Sequence, residues 1–143
     1  MRFMVIVKAN ADSEAGVMPS AELIEAMGAY NNALIAAGVM LDGAGLRASS
    51  QGARVSFDAD EPVVVEGPFA QTEELISGYW IWQCKDLPEA IAWLKKAPFK
   101  TGTLEIRRFF EPEEFAGTAS DEIIEQEKKW REEQAKTAAK LSA

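Results

Sequence analysis

Four polar side chains in this sequence have the types and spacing to bind and act on a small molecule. They are Asp42, Gln83, Glu105 and Arg107. An arginine can hold a carboxylate or phenolate through two parallel hydrogen bonds. A carboxylate such as Asp42 or Glu105 can serve as a general base where burial weakens its acidity. The set could therefore hold a small polar ligand in a cleft. Alternatively, Glu105 and Arg107 form a structural ion pair at a subunit interface.

The residues that the chain lacks limit this chemistry further. It has no histidine and one cysteine among its 143 residues. The commonest near-neutral acid and base is therefore missing, as are the commonest metal ligand and every nucleophile system that depends on histidine. Cys84 lies among aromatic residues and is interpreted as a small apolar residue. We expect neither a metal nor an organic cofactor.

Charge and hydropathy exclude two classes of partner. The formal net charge is −8, which repels phosphate backbones and anionic lipid surfaces, so we expect no nucleic acid and no membrane partner. The N-terminal apolar run is too short for a signal peptide, and no stretch approaches the roughly 20 apolar residues of a spanning helix. A single cysteine cannot form an internal disulfide, which fits a reducing compartment. We expect a cytoplasmic protein.

The elements that would position the four polar residues alternate between strands and helices. Apolar runs and alternating patterns predict strands at residues 3–7, 39–46, 79–84 and 103–110, with a hairpin at 54–65 inserted between the second and third. A helix is predicted from about Ser20 to Gly38, with residues 23, 27, 30 and 34 on one face. A second helix runs from Asp86 to just before Pro98 and carries Leu87, Ile91 and Leu94 inward. Residues 11–19 are predicted to be a loop. The order describes an α+β, ferredoxin-like βαββαβ sandwich.

Alternation along the strands assigns the polar residues to one face of the sheet. In strand 79–84, one side carries Trp80, Trp82 and Cys84, and the other carries Tyr79, Ile81 and Gln83. The apolar sets are predicted to face the helices. Gln83, Glu105 and Arg107 then lie on the opposite face of the sheet, which no helix covers, and Asp42 could join them there. A sheet face that is apolar must be shielded from water, and packing against a second copy of the chain is the simplest way to shield it. We therefore expect a homodimer with a ligand cleft between its subunits.

The last part of the chain differs in composition from the rest. From Ser120 it is rich in Glu, Lys, Gln and Ala, and a helix is predicted to about Leu141. It has too few large apolar residues to fold on a core of its own. Its mixed charges indicate a solvated face or, alternatively, a helix that binds a partner.

Several short motifs together resemble those of the YCII-related family. They are residues 41–46 (LDGAGL), 66–69 (EGPF), 78–81 (GYWI), 86–91 (DLPEAI), 105–107 (EIR) and 111–115 (EPEEF). More narrowly, the chain resembles the branch named for its Asp-Gly-Pro-Phe (DGPF) motif. The resemblance covers residues 1–116, which gives a domain at 1–116 and a charged helical tail at 117–143.

This resemblance implies a dimeric α/β-barrel built from ferredoxin-like subunits, and it implies little about function. Many members are encoded beside extracytoplasmic-function sigma factors, so a sigma factor is a possible partner. A related branch includes a dehydrochlorinase acting on a chlorinated hydroxyquinol, with a His and an Asp as the suspected catalytic pair. Here the Asp of the motif is Glu66, the His has no counterpart, and only the Asp could carry over, as Asp42.

The loop Glu66-Gly67-Pro68-Phe69 has a structural and a functional interpretation. In the structural one, glycine permits an unusual φ, proline fixes the turn and Phe69 fills an edge of the core. In the functional one, the loop lines the rim of the cleft, so that Glu66 and Phe69 help to bind the substrate.

Two functions fit the sequence. The first is a dimeric binding or regulatory protein that takes a small polar or aromatic ligand, or that engages a sigma factor. The second is a cofactor-free enzyme, such as a lyase, isomerase or dehalogenase, acting on a small oxygenated substrate. Asp42 or Glu105 would then be the base, and Arg107 would anchor the anionic group of the substrate.

Overall fold

The structure is a computed structural model that describes residues 1–141 of the chain. These residues form two compact units, Met1–Arg108 and the segment from Phe109 onward. The strands are β1 (Arg2–Lys8), β2 (Met40–Gly45), β3 (Ala53–Ser56), β4 (Val63–Glu66), β5 (Ile76–Gln83) and β6 (Leu104–Arg108). The α-helices are α1 (Ala11–Glu14), α2 (Ala21–Ala36), α3 (Leu87–Leu94) and α4 (Asp121–Leu141).

The main sheet has four antiparallel strands in the order β2-β5-β1-β6. The first strand of the chain lies at the centre, and each crossover contains one of the longer helices, α2 or α3. This is the strand order of a ferredoxin-like sandwich, so the predicted α+β class is confirmed. Strands β3 and β4 pair only with each other, which confirms the inserted hairpin.

The core lies between this sheet and its helices. Phe3 and Val5 of β1 are at most 1% exposed, and Trp80 and Trp82 of β5 are 6% and 0% exposed. The helix α2 adds Leu34 and other side chains to the same cluster. The predicted division of β5 into an apolar covered side and a second side is confirmed.

The boundaries of α2 follow from the residues at its two ends. The Ser20 side chain accepts a hydrogen bond from the Leu23 N–H at 3.1 Å, which caps the first turn. After Ala36 the chain turns through Gly38 at φ 70°, a left-handed conformation that favours glycine. The Tyr30 hydroxyl donates to the Trp93 carbonyl of α3 at 2.7 Å and so joins the two helices.

Two details of the predicted secondary structure were wrong, one in a loop and one in a helix. Part of the expected loop at residues 11–19 is the short helix α1, whose start is capped by reciprocal hydrogen bonds between Asn10 and Ser13. On α3, Leu87 and Ile91 do not point inward, since they are 44% and 41% exposed. The face of α3 toward the core is Ala90, Trp93 and Leu94, and Ala97, which follows the helix, also packs against the core. The small Ala90 is fully buried, and it allows the helix to lie close to the sheet.

The segment from Phe109 onward contains a 3-10 turn, Pro112–Phe115, and the long helix α4. Ion pairs join these elements at 2.8 Å (Arg131 to Glu111) and 3.0 Å (Lys128 to Glu113). The predicted helix from about Ser120 to about Leu141 is therefore confirmed in its described part. Across residues 1–141, no helix is both long and apolar enough to cross a bilayer.

Candidate functional site

The face of the main sheet that points away from the helices holds four of the six predicted site residues, Asp42, Gln83, Glu105 and Arg107; we call it the open face. Pairing across the strands arranges its side chains in rows. One row reads Asp42, Ile81, Met4, Arg107, and the next reads Ala44, Tyr79, Ile6, Glu105. The centre is apolar and half-buried, and polar groups occupy both edges. The prediction that Gln83, Glu105 and Arg107 share this face is confirmed.

A bulge in β2 turns Asp42 toward the open face. The register shifts between Met40, which packs toward the core, and Asp42, so that Leu41 is the extra residue. Simple alternation from Met40 would have placed Asp42 on the covered face. Gly43 then points toward the core, where a Cβ would lie 2.7 Å from Trp80 Cδ1. Only glycine fits there without displacing a neighbour.

The carboxylate of Asp42 accepts two hydrogen bonds. The Gly43 N–H donates to Oδ1 at 2.8 Å, and the Tyr79 hydroxyl donates to Oδ2 at 3.3 Å. The negative charge of Asp42 raises the pKa of Tyr79 above its ordinary value near 10, with smaller contributions from burial and from the hydrogen bond. Tyr79 is therefore a neutral phenol at neutral pH, and it acts as a hydrogen-bond donor.

Tyr79 is a site residue that sequence reasoning did not select. Alternation along β5 already placed it on the same side as Gln83. Its hydroxyl was overlooked because only the register of β2 against β5 brings it to Asp42. The structure thus adds a phenol to the predicted set of carboxylates, amide and guanidinium.

The opposite edge of the open face carries Glu105 and Arg107 on β6. Glu105 lies 3.9 Å from the ammonium of Lys8 on β1, and both side chains are partly exposed. An exposed pair of this kind contributes little to stability. Within residues 1–141, Arg107 has no hydrogen-bond or ion-pair partner, so the proposed ion pair between Glu105 and Arg107 is absent from the single chain.

The two edges are too far apart for one small molecule. Asp42 and Arg107 stand on the outer strands of a four-stranded sheet, three strand spacings or about 14 Å apart. Gln83 lies on β5, one of the two inner strands, where it is paired with Arg2 of β1, and its side chain is exposed. One copy of the chain therefore offers two separate polar clusters, Asp42 with Tyr79 and Glu105 with Lys8 and Arg107.

Glu66 and Phe69 belong to a different part of the molecule, the base of the hairpin. Glu66 is the last residue of β4 and is exposed. The Phe69 N–H donates to the Ser49 hydroxyl at 3.0 Å, and the Arg54 guanidinium stacks on the Phe69 ring at 4.0 Å. Phe69 therefore lies under an arginine of the hairpin, and the expectation that it fills an edge of the core is wrong.

Close backbone contact explains the glycine of this loop. A Cβ on Gly67 would lie 1.8 Å from the Ser49 carbonyl oxygen, and the Gly67 N–H donates to the Gly52 carbonyl at 2.9 Å. Gly67 does not have a positive φ, so the predicted reason for glycine was wrong. The Gly67–Pro68 peptide bond is cis.

Glu14 fastens this loop to α1. One carboxylate oxygen accepts from the Ser49 N–H at 3.1 Å, and the other accepts from the Ser49 hydroxyl. Because the same hydroxyl accepts from the Phe69 N–H, Ser49 connects the start of the hairpin to its end. Both the N–H and the hydroxyl of Ser49 therefore form hydrogen bonds that stabilise the base of the hairpin. This supports the structural interpretation of the loop.

Cys84 is not activated as a nucleophile. It is 4% exposed, and burial raises its pKa, with the charges of Glu89 and Asp86 acting in the same direction. A raised pKa leaves the thiol protonated at neutral pH. This agrees with its interpretation as an apolar core residue.

Metal ligands and surface depressions elsewhere in the described residues do not extend the candidate site. Among residues 1–141, no three His, Cys, Asp or Glu side chains are grouped closely enough to hold a metal ion. Two shallow depressions lie along α4, one lined by Trp130, Glu133, Gln134 and Thr137. Neither includes a residue of the open face.

The proteins to which the chain is similar include one solved structure and one curated protein. A solved structure of 5-chloro-2-hydroxyhydroquinone dehydrochlorinase from Burkholderia phenoliruptrix AC1100, in complex with 2,5-dihydroxybenzoquinone, is 14% identical, with a TM-score of 0.45. The match covers 78% of this chain and 95% of that one. An uncharacterised protein of Rhizobium meliloti (strain 1021) is 36% identical over 58 residues. That stretch is 38% of this chain and 47% of the relative, so the match spans about half of the relative's length.

The family itself follows from a longer match. The description of the YCII-related domain fits residues 1–113, which include the whole main sheet, the hairpin and the helices α1 to α3. This is well over half of the chain. The chain belongs to the family of proteins with a YCII-related domain.

Proposed function

We propose that this chain is a homodimeric protein that binds a small polar or aromatic ligand on the open face of its main sheet. The observation that carries the proposal is the hydrogen bond of 3.3 Å between Tyr79 and Asp42 at the edge of an apolar surface. An apolar patch with a few well-placed polar groups is the usual composition of a ligand site. Met4, Ile6 and Ile81 supply the apolar part.

The charges on this face indicate which ligand groups would be recognised. Asp42 accepts hydrogen bonds, and so it favours a ligand hydroxyl. Arg107 favours a carboxylate or phenolate oxygen. We also propose that the chain belongs to the DGPF branch of the family, on the basis of its Gly67-Pro68-Phe69 loop.

Ligand binding is tested by two-dimensional NMR of the ¹⁵N-labelled protein against a library of small phenols and carboxylates. We expect a binding compound to shift the amide signals of Met4, Tyr79 and Ile81. Tyr79→Phe should weaken binding about tenfold, because it removes the hydroxyl and leaves the ring. Ser56→Ala, which removes a hydroxyl from the hairpin, is the matched control. If shifts cluster on the hairpin or on α4 instead, the proposed site is wrong.

The regulatory form of the proposal has its own test. Here the ligand-bound dimer would engage a sigma factor through the exposed charged surface of α4. Pull-down with a purified extracytoplasmic-function sigma factor from the same organism should recover a complex, and deletion of residues 117–143 should abolish it. Recovery that survives the deletion would assign the contact to the domain rather than to the tail.

A second candidate function is a cofactor-free enzyme on the same face. The observation that favours it is the carboxylate of Asp42 next to a neutral phenol, a base and a donor within hydrogen-bond reach. A lyase, isomerase or dehalogenase of small oxygenated compounds would use Asp42 or Glu105 as the base and Arg107 as the anchor. In a screen that finds turnover, Asp42→Asn should lower kcat about a hundredfold or more, whereas Arg107→Ala should mainly raise KM. Unchanged kinetics in both variants would contradict this candidate.

A further inference from the structure

Asn31 of α2 lies on the covered side of the main sheet, yet it is connected through the core to the open face. Its Oδ1 accepts a hydrogen bond from the indole N–H of Trp80 at 2.9 Å. We infer that Asn31 is a positioning residue for the ligand site: it selects the orientation of the Trp80 indole, and through the backbone of β2 that orientation places Asp42. The inference deepens the proposed function and rests on it, since it concerns the same site.

The aromatic neighbours of Trp80 hold the plane of its ring. Trp80 is 6% exposed, and the rings of Tyr30 and Phe99 meet it at interplanar angles of 80° and 85°. A half-turn of the indole about its Cβ–Cγ bond would keep that plane and exchange the two edges of the ring. This torsion is broad and roughly twofold in tryptophan, so the reversed orientation is a real alternative. Aromatic packing therefore leaves two orientations of the indole open.

The hydrogen bond to Asn31 distinguishes the two orientations. The reversed indole would turn its N–H away from Asn31 and lose this partner, and a buried donor without a partner is unfavourable. Such a partner is not a general feature of this core, because within residues 1–141 the buried Nε1 of Trp82 forms no hydrogen bond. Asn31 is therefore the group that favours one orientation of Trp80 over the other.

The selected orientation turns the narrow edge of the indole toward β2. A Cβ on Gly43 would lie 2.7 Å from Cδ1 of Trp80 and 3.3 Å from its Nε1, the atom that is bonded to Asn31. Both indole atoms belong to the five-membered ring. In the reversed orientation, the wider six-membered ring would take this position. Because Gly43 has no side chain that could move aside, the backbone of β2 would have to shift.

A shift of β2 at this point would change the surroundings of the Asp42 carboxylate. Asp42 directly precedes Gly43, whose N–H donates to Oδ1 at 2.8 Å. The Tyr79 hydroxyl donates to Oδ2 at 3.3 Å, which is longer than a typical bond between two oxygens, so a small further displacement would break it. Asn31 is thus linked to the ligand site through the indole, the backbone of β2 and the carboxylate.

NMR of the free protein tests the first step of this link. In the wild type, Hδ1 of Trp80 should give a strong nuclear Overhauser effect to Hα of Gly43. Asn31→Leu keeps the size of the side chain and removes the acceptor, so this signal should lose about half of its intensity to signals from the six-membered ring. Asn31→Asp keeps an acceptor oxygen and should show the wild-type pattern. Asn32→Leu, the same change at the next and exposed position, should also leave the pattern unchanged.

The second step is measured at Tyr79. The charge of Asp42 raises the pKa of Tyr79, so the pKa should fall toward its ordinary value of 10 in Asn31→Leu. It should stay raised in Asn31→Asp and in Asn32→Leu. Binding of 4-hydroxybenzoate, followed by NMR titration, should weaken about threefold or more in Asn31→Leu alone. Asn31→Ala removes the same acceptor and repeats both measurements if the leucine variant does not fold.

The outcomes separate this inference from the proposed function. An unchanged signal between Trp80 and Gly43 in Asn31→Leu means that packing alone fixes the indole, and it overturns the inference. A changed signal with an unchanged Tyr79 pKa overturns it as well, since Asn31 would then stabilise only the core. The same holds if Asn31→Asp behaves like Asn31→Leu. A wild type in which no small phenol or carboxylate shifts an amide signal of the open face contradicts the proposed function, while the measurements on Trp80 and Tyr79 still decide the role of Asn31.

Discussion

The two faces of the main sheet are built from the same strands and differ in what covers them. On the covered face, Phe3 and Trp82 are at most 1% exposed and pack against the helices α2 and α3. On the open face, their neighbours Met4 and Ile81 are only half-buried, although they are also apolar. One face is completed within the chain. The other has apolar side chains at its centre that remain partly exposed.

This difference shows what alternation in a strand can encode. Side chains at successive positions point to opposite faces, so one strand can serve the core and a binding surface at once. In β5, Trp80 and Trp82 belong to the core, whereas Tyr79, Ile81 and Gln83 lie on the proposed binding surface. The stability of the fold and the proposed function therefore depend on different residues of the same strand.

The largest expected effect is a difference in the free energy of unfolding between substitutions on the covered face and on the open face. Trp82→Ala should lower the free energy of unfolding by about 3–5 kcal/mol, because it opens a cavity in a packed core. Ile81→Ala, one residue earlier on the open face, should cost the isolated chain about 1 kcal/mol or less, since the side chain is only half-buried. Urea unfolding at concentrations low enough to keep the chain monomeric measures both.

One outcome for these two variants would contradict the difference between the covered and open faces. If Ile81→Ala costs as much as Trp82→Ala in the monomer, the open face is covered by the chain itself, and the proposed interface does not exist. If the cost of Ile81→Ala grows with protein concentration, the open face is buried between copies. In that case the loss belongs to the dimer, because association adds to the apparent stability.

A smaller effect tests how the covered face positions the site. Gly43→Ala would place a methyl group 2.7 Å from Trp80 Cδ1 and 2.9 Å from the end of Met40. We expect a loss of about 1–3 kcal/mol in the free energy of unfolding from this overpacking. Because Asp42 is the next residue, the displaced strand should also weaken the hydrogen bond to Tyr79. Urea unfolding and the NMR signals of Tyr79 report the two consequences.

Gly45→Ala is the matched control for this substitution. It lies on the same strand, and its added Cβ would meet only the Ser77 carbonyl oxygen at 4.0 Å, an ordinary contact. It should change the free energy of unfolding by about 0.5 kcal/mol or less. Equal losses in both variants would mean that β2 as a whole tolerates no side chain, and that the contact with Trp80 is not the reason for Gly43.

The sequence predicted the fold better than the site, for physical reasons. Strand and helix periodicity gave the order of elements, the inserted hairpin and the two faces of β5, because burial acts on each side chain through its own neighbours. The bulge at Leu41 depends on the pairing of β2 with β5, and no local pattern reports it. The contact of Tyr79 with Asp42 follows from that bulge, and so it was missed.

The same reasoning explains the errors on α3 and in the hairpin loop. Leu87 and Ile91 are large and apolar, yet α3 turns Ala90, Trp93 and Leu94 toward the core and leaves these two exposed. In the loop, the glycine was predicted from its backbone freedom. Its actual reason, the Ser49 carbonyl against Gly67, comes from a segment 18 positions earlier in the chain, which local sequence cannot indicate.

The smallest expected effect is a shift in the pKa of a tyrosine. The chain has two tyrosines, Tyr30 on the covered side of the main sheet and Tyr79 on its open face. Burial raises the pKa of Tyr30 to about 12, whereas the charge of Asp42 is the main cause that raises the pKa of Tyr79. Both phenols hold their protons more tightly in the folded chain. Their contributions to stability are therefore complete below pH 10 or so, the unfolded pKa of tyrosine, and are lost as pH rises through each raised value.

Asp42→Asn distinguishes the two causes because it removes the charge and leaves the burial of Tyr30 unchanged. The ultraviolet absorbance of the phenolates should show one transition for each tyrosine in the wild type, and only that of Tyr79 should move toward pH 10 in the variant. Tyr79→Phe assigns that transition by deleting it. If the Tyr79 transition stays in place in Asp42→Asn, the carboxylate does not act on Tyr79 in solution. The polar edge of the open face would then be two independent side chains, and the Asp42–Tyr79 pair could no longer support either proposed function.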